Sequence, residues 1–289
     1  MKRPKSVALV AAGKLSHSPL TRFSSLSEML GPVKAPSFRL ASRIANTLRA
    51  GHPVKDYGEF DACRLILICV PDDSIPGTVA ELASAEVCWS DKSAVLYSAS
   101  RGSSELSVLA ARGASIASLT TIPGFHDSRY LVEGDKPAIH ETNLLVANRE
   151  RHCIAIERDL KPLYLTALTC TSSLLFPLMM TAFESLRTAG LTPTASMAIL
   201  EKQLSKGLRA YARGGRRAYV PPAALFEQLE ALTAADPALA HFIEESCRLT
   251  DRLLAEPMRA QSAVRKRPSP AEPSGNGDEQ IRMWALAAP

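Results

Sequence analysis

The chain has 289 residues, of which 46% are hydrophobic and 22% are charged. This composition excludes global disorder, and the length predicts two domains, since a domain usually takes about 100–200 residues. The formal net charge of +5 suits an anionic ligand as well as nucleic acid, so the charge alone selects neither.

Residues 1–158 alternate short β-like runs with helix-like runs, an order typical of a doubly wound parallel sheet. The strongest strand is 64–70, which is continuously apolar after Arg64, because such runs are typical of strands that are covered on both faces. The pattern begins with a strand over 6–12, a helix over 20–30 that ends at Gly31-Pro32, a second strand over 37–42 and a second helix over 43–51. Further strands are predicted over 93–100, 114–120, 130–134 and 152–157, and further helices over 75–84, 103–113 and 136–147.

From Asp159 onward the pattern becomes helical, with Asp159 as a predicted cap and Pro162 in the first turn. Later helices are predicted over 193–206, 222–235 and 237–255. The sequence therefore predicts an α/β fold in three parts: a Rossmann-like dinucleotide-binding domain over 1–158, an all-α domain over 159–256, and a tail over 257–289. The tail is rich in Pro, Ser, Gly and charge, a composition typical of disorder.

Residues 162–183 carry no charge, and their number approaches the ~20 residues that a membrane span needs. The segment also contains Pro177 and a run of hydroxyl residues, and it lacks an aromatic belt at both ends. A helix that is buried on all sides, within a helical domain or a dimer, is the favoured interpretation, and a membrane span is the alternative. We expect a cytoplasmic protein with no membrane partner.

The loop after the first predicted strand is a weakened dinucleotide-binding loop. The usual three glycines appear here as Ala11, Gly13 and Ser16. Neither replacement removes the backbone N–H groups that hold phosphates at the start of a helix. We therefore expect the backbone of Gly13, Lys14 and Leu15 to bind the diphosphate, with Lys14 adding a positive charge.

The end of the second predicted strand selects the nucleotide. NAD-binding chains usually carry an acidic residue there, whereas NADP-binding chains prefer Arg or Ser for the 2′-phosphate. Here Ser42 and Arg43 follow Ala41, and no acidic residue occurs before Asp56. This pattern favours NADP, and the alternative is that Arg43 only lies on a solvated helix end.

A succession of short stretches resembles a known family. It comprises VALVAAGKL, LILICVPDDSIPGTVAELA, GSSEL, LTTIPGF and Lys161-x-x-Tyr164. The chain is similar over about 5–255 to the bacterial Rossmann-like and DUF2520 domain-containing proteins, relatives of pyrroline-5-carboxylate reductase and of NADP- or F420-dependent oxidoreductases. The resemblance implies an NADP-type Rossmann domain, a helical domain resembling that of 6-phosphogluconate dehydrogenase relatives, a homodimer through its C-terminal helices, and a cleft between the two domains.

The resemblance also implies site residues. Val70, Pro71, Asp72 and Ser98, together with Gly13 and Arg43, match positions that line the nucleotide cleft. The motif K-x-x-Y-H-x-A followed by S-N is matched at Lys161, Tyr164, Ala167 and Ser172, but Leu165 replaces the His and Ser173 the Asn. The His of a further family stretch is also missing, at Thr120 or Thr121. Each replacement removes a group that binds substrate or moves a proton.

Lys161 and Tyr164 are one helical turn apart and share a face, so they are the candidate catalytic residues. Lys161 would polarise or protonate a carbonyl or imine group, and Tyr164 would donate a proton or orient the substrate. The alternative is a snorkelling Lys and a core Tyr at a helix start.

No metal site and no nucleic-acid partner are expected. The six cysteines show no CxxC pair and the six histidines no HExxH motif, which argues against metal binding and predicts a reducing compartment. The basic stretch 209–219 contains interleaved tyrosines that could contact nucleic acid, but a solvated loop between helices is favoured.

The sequence therefore supports an NADP-dependent oxidoreductase that acts on a small carbonyl or imine compound. The alternative is a catalytically inactive dimeric scaffold or ligand-sensing protein, which the altered loop and the missing His and Asn favour. A membrane-associated protein that uses 162–183 is the third hypothesis.

Overall fold

The structure, a computed structural model, describes residues 6–12, 23–125, 129–146, 152–220 and 225–255. The chain divides into two compact units, Met1–Thr171 and Ser172–Pro289. The division lies later than the boundary expected after residue 158, because the first helix after Asp159 is bound to the sheet, as described below. The predicted tail lies outside the described residues.

The first unit is built on one sheet of eight strands in the order β3-β2-β1-β4-β5-β6-β7-β8. Neighbouring strands pair in parallel from β3 to β6, β7 is antiparallel to β6, and β8 is parallel to β7. The strands are β1 Val7–Ala11, β2 Leu30–Lys34, β3 His52–Pro53, β4 Leu65–Cys69, β5 Ser93–Tyr97, β6 Ser115–Thr121, β7 Arg129–Gly134 and β8 His152–Ala155. The prediction of a doubly wound, mostly parallel sheet is confirmed.

Helices cover both faces of this sheet, which explains why the central strands are apolar on both sides. Alternate residues of each strand contribute to two separate hydrophobic cores: Val7 and Leu9 to one, Ala8 and Val10 to the other. The helices of the first core are α1 Ser24–Met29, α2 Phe38–Leu48 and α5 Lys136–Val146, and those of the second are α3 Ile75–Ser84 and α4 Ser107–Ala111. Helix α6, Lys161–Thr171, completes the first unit.

The predicted second strand over 37–42 is wrong, because these residues begin helix α2. Ser37 is its cap, with its hydroxyl accepting a hydrogen bond from the Leu40 amide at 3.2 Å. Ala41, Ile44 and Ala45 form the buried stripe. Buried apolar residues here recur every three or four positions, as in a helix, although a short alternation of apolar and polar residues resembled a strand.

The true second strand, β2, contains the Gly31-Pro32 pair that was expected to end the preceding helix. Proline removes a ladder donor, so it is tolerated where the pairing is irregular. Such an irregularity is present: Val7 pairs with Leu30 but Leu9 pairs with Val33, so β2 carries one extra residue there. Gly51, with φ of 74°, approaches this point so closely that a Cβ atom would lie 2.6 Å from the Gly31 carbonyl oxygen.

The second unit is helical, as predicted. Its helices are α7 Leu175–Thr188, α8 Pro193–Gly214, α9 Leu225–Ala235 and α10 Pro237–Ala255. Helix α8 begins at the predicted Thr192-Pro193 pair, with the Thr192 hydroxyl accepting from the Ala195 amide. Most of the basic stretch 209–219 continues this helix, so the expectation of a loop there is wrong.

The uncharged segment 162–183 is not buried within the chain. One stretch, Lys161–Thr188, has the length and mean hydropathy, 1.5, of a membrane span, and none of its most apolar window is buried. It is not one continuous helix, because Ser172–Leu174 form a turn between α6 and α7. Phe176 and Met180 are 59% and 57% exposed, so the expectation of a helix that the chain itself buries on all sides is wrong.

Candidate active site

The strand order reverses between β1 and β4, where open α/β sheets bind ligands at the carboxyl ends of their strands. At this edge the Ala12 amide donates to the Cys69 carbonyl oxygen at 3.2 Å, so the two chain segments leave the sheet side by side. Val70 is nearly buried there and Pro71 is exposed. Both predicted cleft residues therefore lie at the expected edge.

The predicted phosphate loop lies outside the described residues. This applies to Gly13, Lys14 and Leu15, and to the Ser16 side chain that would crowd them. Ala11, the first replaced glycine, is the fully buried last residue of β1. The role of the loop in binding the diphosphate stays a prediction.

Ser42 and Arg43 do not follow the second strand. They lie inside α2, about one turn after its first residue, with Ser42 half-buried and Arg43 exposed. This placement corrects the sequence-based assignment, which depended on the wrong position of the strand.

The segment that does follow β2 is Ala35–Arg39, and Lys34 is the last residue of the strand. Arg39 is exposed in the first turn of α2, and Ser37 caps that helix. The Lys34 ammonium donates to the Ala35 carbonyl oxygen at 3.0 Å and lies 5.4 Å from the centre of the Tyr57 ring. Residues 34–43 contain no carboxylate. The edge beside β2 is therefore basic. The Ser-Phe-Arg sequence after Pro36 could have indicated a capped helix start with an arginine, but a strand was predicted there.

Asp72 and Ser98 are brought together by the parallel pairing of β4 and β5. The Ser98 hydroxyl donates to Asp72 Oδ1 at 2.8 Å, and the Ser100 hydroxyl donates to Asp72 Oδ2. The Ser98 hydroxyl oxygen also accepts from the Ser100 and Arg101 amides, at 3.2 and 3.0 Å. The hydrogen bond from Ser100 is the largest of several effects that hold the pKa of Asp72 below its ordinary value.

Ser98 opens a six-residue segment, 98–103, that we name the β5 loop. Its ends, Ser98 and Ser103, are buried, whereas its tip, Ala99–Arg101, is exposed. Glu133, fully buried on β7, holds the far end: the Ser103 amide and hydroxyl donate to its two carboxylate oxygens at 2.5 and 2.7 Å. Side chains thus hold the loop at both ends, and its tip is exposed to solvent.

Lys161, the first residue of α6, reaches the same loop. Its side chain is 1% exposed, and its ammonium donates to the Ser98 and Arg101 carbonyl oxygens, each at 2.7 Å, and to the Ser118 hydroxyl at 3.0 Å. An ammonium has three N–H donors, so all are used by the protein. Burial lowers the pKa of Lys161 to about 8, although the carboxylates of Glu133 and Asp72 raise it in part.

Tyr164 lies one turn further along α6 and differs from Lys161 in one respect. Its hydroxyl is buried and has no hydrogen-bond partner among the described residues. Burial raises the pKa of this phenol, so it stays protonated at neutral pH. A buried hydroxyl without a partner is costly, so Tyr164 is a candidate donor for a ligand.

The other polar positions add less. Thr120 is buried at the end of β6, and its hydroxyl donates to the Thr121 carbonyl oxygen at 3.4 Å. Leu165 is half-buried and apolar where the resembling family has His. Among the described residues no group of His, Cys, Asp and Glu side chains is arranged to hold a metal ion.

No protein-family model and no curated protein matches the sequence. Solved structures do match it. A Bacteroides fragilis protein that is named as an NADP oxidoreductase aligns over 86% of this chain and 98% of its own, with a TM-score of 0.64 and 14% identity. An imine reductase from Aspergillus terreus, in complex with NADPH4 and a dibenzazepine, aligns over 86% and 93%, with a TM-score of 0.60 and 17% identity.

An imine reductase from a Pseudomonas species aligns over 86% of this chain and 94% of its own, with a TM-score of 0.56 and 20% identity. At such identities the likeness concerns the fold. The chain has the two-domain fold of these reductases: a Rossmann-like sheet followed by a helical C-terminal region.

Proposed function

We propose that the chain is an NADP-dependent oxidoreductase that acts on a small carbonyl or imine compound. The observation that carries this proposal concerns the segment after β2. There Ser37 caps the start of α2, Arg39 lies in the first turn of that helix, and no carboxylate is present. Nucleotides with a 2′-phosphate are bound at this place in doubly wound folds, and those without it are bound through an acidic residue.

The proposed 2′-phosphate site uses two elements of α2. The first amides of the helix have no partners within the helix and attract an anion, an effect that the helix dipole strengthens. The Arg39 guanidinium, on the first turn, supplies a charge and paired donors. Arg43 lies one turn further on the same face, so it adds long-range attraction without reaching the same atoms.

Tyr164 is the proposed proton donor. A bound nicotinamide cofactor supplies hydride to the carbon of a C=O or C=N bond, and the heteroatom then requires a proton. The Tyr164 hydroxyl is protonated, buried and without a partner among the described residues, so it can donate to that heteroatom. Solvent then returns the proton to the phenol.

The alternative is an inactive scaffold or ligand sensor. It is favoured by the apolar Leu165 and by the complete use of the Lys161 donors within the protein. Titration of the full chain with NADPH and with NADH, followed by cofactor fluorescence, tests both. Saturable NADPH binding that exceeds NADH binding, with oxidation of NADPH when cyclic imines or ketones are added, supports the enzyme. Binding without turnover supports the sensor, and no binding at millimolar NADPH rejects the enzyme and leaves the inactive scaffold.

We also propose a homodimer through the C-terminal helices. Within the second unit many large apolar side chains remain exposed on α7, α8 and α10, more than a soluble monomer usually presents. A second copy of the chain would cover this apolar surface and make a cytoplasmic protein soluble. The membrane hypothesis is less supported, because the turn at Ser172–Leu174 divides the apolar segment into two short helices. Membership of the DUF2520 group stays a prediction that depends on the motif residues alone.

A further inference from the structure

We infer that Lys161 is a positioning residue, which holds the β5 loop in shape for the cofactor cleft and does not itself donate a proton to the substrate. The inference refines the role of a site within the proposed oxidoreductase, and in that part it rests on the proposed function. Its structural part, that Lys161 fixes the loop, stands independently of any cofactor.

Three charged side chains from three different elements hold this one loop. Asp72, after β4, accepts from the hydroxyls of Ser98 and Ser100. Glu133, on β7, accepts from Ser103. Lys161 binds the backbone of the loop itself, at the Ser98 and Arg101 carbonyl oxygens. Two of these charges, Glu133 and Lys161, are buried, and an ordinary surface connection does not require buried charges, since burial of each is costly.

The position of the β5 loop at the carboxyl edge of the sheet explains why charged groups hold it. The loop follows β5, beside the carboxyl end of β4, and its exposed tip is the part that a ligand at this edge would meet. Within the tip, the Ser100 hydroxyl donates to Asp72 and the Arg101 carbonyl oxygen accepts from Lys161. Fixing both ends and the Arg101 carbonyl therefore presents the tip in one conformation, which lowers the entropy lost on binding.

A proton donor would require different surroundings. To reach a substrate, the Lys161 ammonium would have to leave at least one carbonyl or hydroxyl oxygen that it now satisfies inside the protein. Tyr164 needs no such rearrangement, because its hydroxyl has no partner in the part of the chain that the structure describes. The sequence predicted Lys161 and Tyr164 as one catalytic pair. In the inference drawn here Tyr164 donates the proton, whereas Lys161 positions the β5 loop.

Trypsin cleavage after Arg101 tests the structural part. The Arg101 carbonyl, which the enzyme must attack, is one of those bound by Lys161, so cleavage at Arg101–Gly102 requires the loop to open. We expect Lys161→Met to accelerate this cleavage by about tenfold or more, the fold-change for one lost hydrogen bond to a charged group. Lys161 precedes Pro162, so trypsin does not cleave there and the substitution removes no cleavage site.

Lys136→Met is the matched control. Lys136 is also the first residue of a helix and also precedes a proline, but its side chain is exposed. We expect cleavage at Arg101 to be unchanged in this variant. Should Lys161→Met not fold, Ser118→Ala removes one of the three acceptors and is expected to give a smaller acceleration. Unchanged cleavage in both Lys161→Met and Ser118→Ala would overturn the inference.

NADPH binding separates positioning from proton donation. A positioning role predicts that Lys161→Met raises the Kd of NADPH, and that in the wild type this Kd rises as the pH passes through about 8, where the ammonium loses a proton and one donor. A proton donor predicts a lower kcat with an unchanged Kd, and that result would overturn the inference. If the wild type binds no NADPH, the proposed function fails, whereas the trypsin result still decides whether Lys161 holds the loop.

Discussion

The Ser98 hydroxyl donates a hydrogen bond of 2.8 Å to Asp72 Oδ1, so the carboxyl ends of β4 and β5 are joined through side chains as well as through the sheet. Asp72→Asn keeps the shape but replaces one acceptor oxygen by an NH₂ group. We expect the free energy of unfolding at neutral pH to fall by about 1 kcal/mol, the usual value of one hydrogen bond. Urea unfolding at several pH values measures it.

The pKa of Asp72 determines the direction in which this loss of stability changes with pH. The folded-state pKa of Asp72 is below its ordinary value of 3.8, so its ionised form stabilises the fold above that pH. The difference between wild type and Asp72→Asn should vanish as the pH falls through the folded-state pKa. Asp73→Asn is the control, since Asp73 only accepts a 3.3 Å hydrogen bond from its exposed neighbour Ser74.

Arg39→Ala and Arg43→Ala distinguish the observed position of α2 from the predicted one. If Arg39 binds the 2′-phosphate, its loss should raise the Kd of NADPH about tenfold or more and leave that of NADH unchanged. Arg43→Ala should have a smaller effect, because Arg43 lies one turn further into the helix. Fluorescence titration with both nucleotides measures the four constants. A larger effect at Arg43 would restore the assignment made from sequence.

Tyr164→Phe removes only the unpaired hydroxyl. We expect kcat for reduction to fall by about 10²-fold, since general acid catalysis contributes at least that much, with little change in the Kd of NADPH. Thermal stability should stay the same or rise slightly, because the hydroxyl has no partner among the described residues. Tyr211→Phe, on an exposed tyrosine of α8, is the control. A marked loss of stability in Tyr164→Phe would mean that the hydroxyl has a structural role.

We also expect the difference in the free energy of unfolding between the wild type and Lys161→Met to depend on pH. Burial lowers the pKa of Lys161 to about 8 in the folded protein, from 10.5 ordinarily, so between these values the unfolded chain binds more protons. The free energy of unfolding of the wild type, relative to Lys161→Met, should therefore rise with pH over this window, by at most about 1.4 kcal/mol per pH unit. Below pH 8 the difference should be constant. A relative decrease above pH 8 would show that the folded-state pKa is raised instead.

Phe176→Glu tests the proposed dimer. Phe176 and Met180 lie one turn apart on the exposed apolar face of α7, so a charge there should weaken self-association by about 30-fold or more if this face is central to the contact. Sedimentation velocity over a range of concentrations measures the dissociation constant, and Gln203→Glu, at an exposed polar position of α8, is the control. A wild-type monomer that binds lipid vesicles would favour the membrane hypothesis.

Much of the fold could be predicted because its signals are local. The strands β4 to β8 are apolar or alternating runs bounded by turn residues, and the structure confirms their positions. Strand β2 could not be predicted, since Gly31 and Pro32 normally end regular structure and are accommodated here only by the irregular pairing with β1. Because this one strand was misplaced, the sequence pointed to 42–43 for nucleotide selection, whereas the structure leads us to propose 37–39.

The candidate site was predictable to the extent that it follows from topology. Asp72 and Ser98 each follow a parallel strand, so neighbouring strands bring them to the same edge. The partners of Lys161 lie 63 and 43 residues earlier in the chain, and no local pattern indicates them. Spacing placed Lys161 and Tyr164 on one face, but only tertiary contacts show that one is fully satisfied and the other is not.

The parallel course of β1 to β6 has an evolutionary consequence. Every one of these strands starts at one rim and finishes at the other, so the connections entering the strands stay remote from any ligand. Insertions and replacements at the entry rim would therefore leave the proposed site at the exit rim in place. Solved structures that share only 14–20% of their residues with this chain have the same architecture, as such a separation allows.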